Sequence, residues 1–170
     1  MGFLDRFLKP PPKPTTAGRS YKCSNCGNPV FFRNSVCLKC QTALGYEPKL
    51  ARIVSIAPNP ETDEWHVIEE TGKIDGISPA YRRCANLNTP AACNWLLSDH
   101  GIGAKDGLCI ACRLNHTIPD LSDPENGVLW GRFEEAKRRM VSTLLALEIP
   151  VLSKDEDPEK GLAFDFLRSH

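Results

Sequence analysis

Apolar positions recur in the C-terminal third of the chain at intervals of three and four residues: Leu129, Phe133, Ala136, Met140, Leu144 and Leu147. That interval follows the 3.6-residue helical turn and predicts one long amphipathic helix burying these side chains, with Trp130 widening the face. Ser122-Asp-Pro-Glu125 supplies the start: Ser122 as cap, Glu125 at the reciprocal position of a capping box, Pro124 in the first turn. Pro150 ends the helix. Glu134/Arg138 and Glu135/Arg139 then fall as i,i+4 ion pairs on the outer face. Lys137-Arg138-Arg139 reads as a solvated stretch of that face, with phosphate contact as the alternative.

Elsewhere the pattern shortens to a period of two. Leu50 to Ile56 alternates and is rich in β-branched residues, and Trp65-His-Val-Ile68 follows after the turn-forming Pro58-Asn-Pro-Glu-Thr-Asp63, so both read as strands. Val30-Phe31-Phe32 is a further short strand, with Arg33-Asn34-Ser35 turning after it. Near the end Leu162, Phe164 and Phe166 alternate within 161–167, predicting a terminal strand that either pairs with the strands at 50–68 or finds partners beyond His170. Residues 9–20 hold Pro10, Pro11, Pro12 and Pro14; proline fixes φ and removes donors, so this is an extended linker that leaves Phe3, Leu4, Phe7 and Leu8 on a tether.

Cysteine spacing adds chemistry to these elements. Cys23-x-x-Cys26 and Cys37-x-x-Cys40 are two knuckles ten residues apart, which predicts a zinc ribbon with four thiolates around one ion, a redox dithiol or iron being the alternative. Cys84, Cys93, Cys109 and Cys112 make a second set, of which only Cys109 and Cys112 form a knuckle. Eight cysteines divided into two sets of four predict two structural Zn2+ ions. His100 or His116 replacing one thiolate, or a cross-braced sharing of pairs, are the alternatives. Trp95, Leu96 and Leu97 are the expected core beside the second metal. His66 lies in a predicted strand without a partner at metal spacing and reads as a packing or surface residue. Gly101 and Gly103 lie in a loop without the strand–turn–helix context of a nucleotide motif.

The resulting fold class is small α+β, metal-stapled: a flexible Pro-rich tail (1–20), a zinc ribbon (21–48), a β-rich second zinc-binding unit (49–118), the amphipathic helix (119–150), and an acidic loop with a terminal strand (151–170). With 170 residues, 14 Pro, 12 Gly and 8 Cys, many turns and small loop-rich units are expected. No apolar run approaches the roughly 18 residues of a membrane span, and the start, with Asp5 and Arg6 in its middle, does not read as a secretory signal. Eight cysteines without such a signal point to a reducing, cytoplasmic setting in which thiols bind metal. Net charge is zero, but residues 1–49 carry eight basic against two acidic residues, and 50–170 thirteen against nineteen. A basic head beside Phe31, Phe32 and Arg33 makes nucleic acid an alternative partner.

The order of motifs resembles a known family. Cys23-x-x-Cys26…Cys37-x-x-Cys40-x-x-Ala43-Leu-Gly-Tyr46 is followed by Tyr81-Arg-Arg-Cys84-Ala-Asn86, Cys93-Asn-Trp95-Leu, Leu108-Cys-x-Ala-Cys-Arg-Leu-Asn115, Thr117-Ile-Pro-Asp-Leu-Ser122, Leu129-Trp130, Ala136-Lys-Arg-Arg139 and Gly161-Leu-Ala-Phe-Asp-Phe-Leu167. Together these resemble the bacterial family of putative zinc-binding metallopeptidases that carry an N-terminal zinc ribbon, over residues 21–167. The resemblance implies a peptidase helix of H-E-x-x-H type, in which two His bind zinc and the Glu activates water. His66, His100, His116 and His170 include no such pair, so no catalytic residue is transferred. The expected function is a non-catalytic double-zinc structural or interaction module, the amino-terminal half of a metallopeptidase-like protein, with a protein partner or downstream domain. A nucleic-acid-binding zinc-ribbon protein is the alternative.

Overall fold

The computed structural model of the chain describes residues 21–69, 74, 79–98 and 106–167. The Phe3–Leu8 turn, the Pro-rich linker, the loop with Asp99, His100, Gly101 and Gly103, and His170 lie outside the described residues.

Strands β1 (Tyr21–Lys22) and β2 (Pro29–Val30) form a small antiparallel hairpin. Five further strands, β3 (Ala43–Glu47), β4 (Arg52–Pro58), β5 (Trp65–Val67), β6 (Tyr81–Arg83) and β7 (Leu96–Ser98), make an antiparallel meander in chain order. The meander curls until its ends meet: Tyr46 of β3 forms a parallel bridge to Trp95, and the Tyr46 amide donates to the Asn94 carbonyl at 2.9 Å. A Cβ on Gly45 would lie 2.5 Å from carbons of the Leu96 side chain. Glycine there is what lets the two end strands approach. Val54, Ile56, Val67, Tyr81 and Leu96 fill the inside of the curl.

β4 is buried on both sides. Val54 and Ile56 point into the curl, whereas Ile53 joins a second cluster and Ser55 reaches the ribbon. That second cluster, around Leu44, Tyr46, Trp95, Leu97 and Leu114, contains six of the eight cysteines among its buried residues. Phe32, Tyr46 and Trp95 pack ring to ring within it, with Tyr46–Trp95 and Phe32–Tyr46 centroids 4.7 and 4.8 Å apart. Trp95 and Leu97 therefore sit beside the cysteines as expected, while Leu96, one residue between them, points into the curl.

The helix α1 runs from Pro124 to Ala146. Asp123, rather than Ser122, is its cap: its side chain accepts from the Glu125 amide at 2.9 Å. At the other end Glu148 takes φ +58°, the Glu148 amide donates to Leu145 and the Ile149 amide to Leu144, so the helix closes in a Schellman turn just before Pro150.

Its buried face is not the apolar one. Leu129, Phe133, Met140 and Leu147 are 45, 58, 41 and 64% exposed, and Ala136 is exposed as well. Buried instead are Asn126, Gly127, Trp130, Glu134, Lys137, Arg138 and Val141. At 100° per residue the expected and the actual faces are centred roughly 110° apart. Two features turn the helix. Gly127 and Gly131 lie against the Pro90 loop, where a Cβ on Gly131 would meet the Pro90 carbonyl oxygen at 2.5 Å, so only this side of α1 can come close. And Glu134 and Lys137 find partners inside. Glu134 pairs with Lys137 at 2.6 Å in place of the expected Arg138, and Lys137-Arg138 is not a solvated stretch; only Glu135–Arg139 stands as an exposed pair.

The terminal strand also departs from expectation. β9 (Phe164–Asp165) pairs in parallel with β8 (Asn115–Thr117), the short strand leaving the last cysteine knuckle, and not with the strands at 50–68. Lys137 Nζ lies over the rings of Phe164 and Phe166, at 5.5 and 5.6 Å, which ties β9 to the helix.

Gly131→Ala gains about 1 kcal/mol of helix propensity but drives a methyl into backbone, an overpacking that costs about 1–3 kcal/mol. A net loss of stability in urea denaturation is expected; an equally stable variant rules out the close approach of α1 to Pro90.

Candidate metal centres

Each ribbon knuckle is built by a tight turn that ends in a left-handed residue. After Cys26 the Gly27 amide returns to the Cys23 carbonyl at 2.8 Å with φ +70°, and after Cys40 the Gln41 amide returns to Cys37 at 2.8 Å with φ +61°. Both turns aim their two sulfurs the same way, and the β1–β2 hairpin and the bridge Val36↔Ala43 bring the knuckles face to face. Cys23, Cys26, Cys37 and Cys40 place their Sγ atoms within 4.8 Å of one another. The Cys23–Cys40 and Cys26–Cys37 sulfurs are 3.6 and 3.7 Å apart. A tetrahedron with Zn–S bonds of about 2.3 Å has S···S edges of about 3.8 Å, whereas a disulfide needs about 2.05 Å. The spacing fits a metal cage.

The second cage draws on more distant chain. Cys84 follows β6, Cys93 precedes Trp95 at the foot of β7, and Cys109 and Cys112 form a knuckle closed by the Arg113 amide on the Cys109 carbonyl at 3.0 Å. The four Sγ atoms lie within 4.8 Å and all four residues are buried. Cys93 and Cys109 sulfurs stand 3.6 Å apart, and the Cys109 amide donates to Cys84 Sγ at 3.4 Å. Cys93 is the ligand candidate with the weakest spacing signal; its place is set by Ala92 at φ +44° and by its amide on the Asn86 carbonyl at 3.0 Å.

Electrostatics tells the same story in both places. In the ribbon, the Thr42 hydroxyl and amide bring the Cys40 thiol down to about 6. Cys26, although the Asn28 amide pulls it down, is pushed up to about 12 by burial and the neighbouring thiols. In the second cage hydrogen bonds from the other thiols, that of Cys109 foremost, hold Cys84 down, while burial above all raises Cys109. Four sulfurs this close cannot all become anions by themselves; a bound cation removes the conflict.

The histidine candidates among the described residues, His116 and His66, fall outside the cages. His116 is exposed, and its Nδ1 pairs with Asp165 at 2.9 Å. His66 lies in β5, half-buried, in neither sulfur group. Among the described residues each set of four is therefore made of cysteines consecutive along the chain, with no pair shared between sets.

Around the second cage stand charged groups that periodicity hides. Cys112 Sγ lies 3.9 Å from Glu134 Oε2, Glu134 pairs with Lys137, and Lys137 also donates to Asn115 Oδ1. Four thiolates and one Zn2+ carry a net charge near −2; burial above all, and the Cys112 sulfur beside it, raise the Glu134 carboxyl above the usual carboxylate range, and Lys137 pairs with it. The two centres are joined through Asn94, which is buried between Cys93 and Trp95 and donates from its amide to the Phe32 and Asn34 carbonyls at 2.8 and 2.9 Å. Ser55 Oγ receives the Ser24 amide at 2.9 Å from the other side.

Two four-sulfur cages held on knuckles and short strands define a double zinc-ribbon protein. A zinc-ribbon domain model matches residues 20–123, and the chain belongs to that family; the ribbon and the two cages support two zinc ions. Residues 126–170, which include most of α1 and β9, match a second family described as "Putative zinc-binding metallo-peptidase". Relatives include uncharacterized proteins of two Mycobacterium tuberculosis strains and of Mycobacterium bovis, each 33% identical over 151 residues, covering 89% of this chain and 38% of the relative. The chain thus spans well under half the length of these relatives. No solved structure matches it.

Cys37→Ser and Cys109→Ser are each expected to remove one zinc per chain, read by metal analysis, and to loosen the fold; unchanged zinc content in either variant refutes that cage. Lys137→Ala leaves Glu134 buried and unpaired, a loss of about 3–5 kcal/mol, with both zincs retained. A chemical-denaturation midpoint unmoved at saturating zinc contradicts the buried pair.

Proposed function

We propose that the chain is a non-catalytic double-zinc module, the amino-terminal structural and interaction half of a zinc metallopeptidase-like protein. Cys23, Cys26, Cys37 and Cys40 hold one ion, and Cys84, Cys93, Cys109 and Cys112 the other. The observation that carries this reading is the donor set: each cage offers four sulfurs, which saturates tetrahedral zinc, whereas a hydrolytic zinc keeps a position open for water. The family match at 126–170 supports the metallopeptidase half of the reading. Those residues contain one histidine, His170, short of the two of an H-E-x-x-H site, and among their described residues no three His, Cys, Asp or Glu donors gather on one point. Eight reduced thiols also suit a reducing compartment, and the cytoplasm of a bacterium is the proposed location. No helix among the described residues is long and apolar enough to cross a membrane.

The nucleic-acid alternative rests on the basic head, eight Lys/Arg against two Asp/Glu over residues 1–49, and on Phe31 and Phe32 beside Arg33 as a stacking surface. Phe32 is buried in the aromatic cluster with Arg139 over its ring at 5.4 Å, leaving Phe31 alone as a stacking surface. The interaction reading is preferred for that reason.

Native mass spectrometry with a peptidase assay tests the proposal. Two zincs per chain and no hydrolysis of fluorogenic peptides above blank are expected. Hydrolysis abolished by a chelator and restored by zinc overturns it. Tight binding of single-stranded DNA or RNA, weakening by orders of magnitude between about 50 and 200 mM salt, moves the function to the nucleic-acid class.

A further inference from the structure

Helix α1 buries its charged side and leaves its apolar side outward. Leu129, Phe133 and Met140 present an apolar stripe in the part of the helix that matches the metallopeptidase family. Beside it, Leu129, Trp130 and Phe133 line a groove of about 330 Å³ together with Phe166 and Leu167 from the end of β9. Phe133 and Phe166 are already in ring contact across it, with centroids 5.8 Å apart. An apolar stripe and groove on two adjoining elements is the surface expected of a docking face rather than of free helix. The division of the helix is informative: its inner side packs on the zinc-ribbon part, and its outer side is covered only in part among the described residues, by Phe166 against Phe133.

Two observations identify the occupant. Residues 126–170 match the metallopeptidase family, yet among their described residues no three His, Cys, Asp or Glu donors gather on one point, so the zinc centre of such a domain draws on other residues. The relatives are long enough to carry them, since the matched region is 38% of each. We propose that the Leu129–Phe133–Met140 stripe and the groove beside Phe166 seat the zinc-site-bearing remainder of the metallopeptidase domain, carried on a longer form of this chain. The inference rests on the amino-terminal-half reading above. It makes α1 the shared wall of two units: polar and glycine contacts toward the zinc cages, apolar contacts toward the peptidase part.

The test is carbene footprinting of α1, read over Val128–Met140, in the 170-residue protein and in the native chain isolated from its own cells, whose intact mass is measured first. Exposures of 41–58% at Leu129, Phe133 and Met140, reduced to those of core residues, predict about a fivefold fall in labelling in the longer chain. Phe133→Glu in that chain is expected to restore the labelling while zinc content stays equal to that of the unsubstituted longer chain. Labelling equal in both forms overturns the docking face and leaves the double-zinc reading standing. A native chain ending at His170 overturns both. Sedimentation of the 170-residue protein covers the remaining occupant: a dimer that Phe133→Glu converts to monomer assigns the stripe to a second copy and refutes the proposal.

Discussion

Four thiolates drawn to one point next to a helix dictate what that helix must bring to them. The second cage is buried on all its residues and, once it holds zinc, is anionic; a purely apolar face packed on it would leave its charge unanswered in a medium of low dielectric. The cation on this side is Lys137, held by Glu134 and Asn115, with Trp130 and Val141 filling the space around them. Gly127 and Gly131 allow the close approach at Pro90. Once that side is spent on the metal, the stripe of Leu129, Phe133 and Met140 has nowhere to go but outward.

The same cage organises the rest of the molecule. Three consecutive residues do different work: Cys93 contributes sulfur, Asn94 satisfies two carbonyls of the ribbon, and Trp95 completes the aromatic cluster that the ribbon's Phe32 enters. Both zinc units are thereby packed on one core, with the curled meander behind it. β8 leaves the last knuckle and captures β9 in parallel, so the C-terminal strand is held by the metal unit and by Lys137. A protein with short strands and loops gains this cohesion from metal where a larger one would use a bigger apolar core.

How much was legible in the sequence varies with the range of the forces involved. The ribbon was legible because its ligand spacing is local: each knuckle is a turn of four residues, and the αL positions Gly27 and Gln41 follow directly. β4 and β5 were legible from alternation, whereas β6, β7 and β8 are three residues each, too short for a period to show. The helix was legible as a helix, from its proline and its interval, although its cap is Asp123 and not Ser122. Its orientation was not, because periodicity reports that a helix has an apolar side and not which neighbour that side meets.

The sequence by itself determined the local chemistry: eight cysteines in two sets, one helix over most of 124–146, a strand-rich middle and the absence of an H-E-x-x-H pair. Those depend on spacing along the chain, which folding does not change. Only the tertiary structure decided that Glu134 and Lys137 go inside, that β9 joins β8, and that the apolar stripe of α1 faces outward. Each of these follows from contacts between residues distant in sequence: Cys112 with Glu134, Asn115 with Lys137 and Phe164, and Pro90 with Gly131.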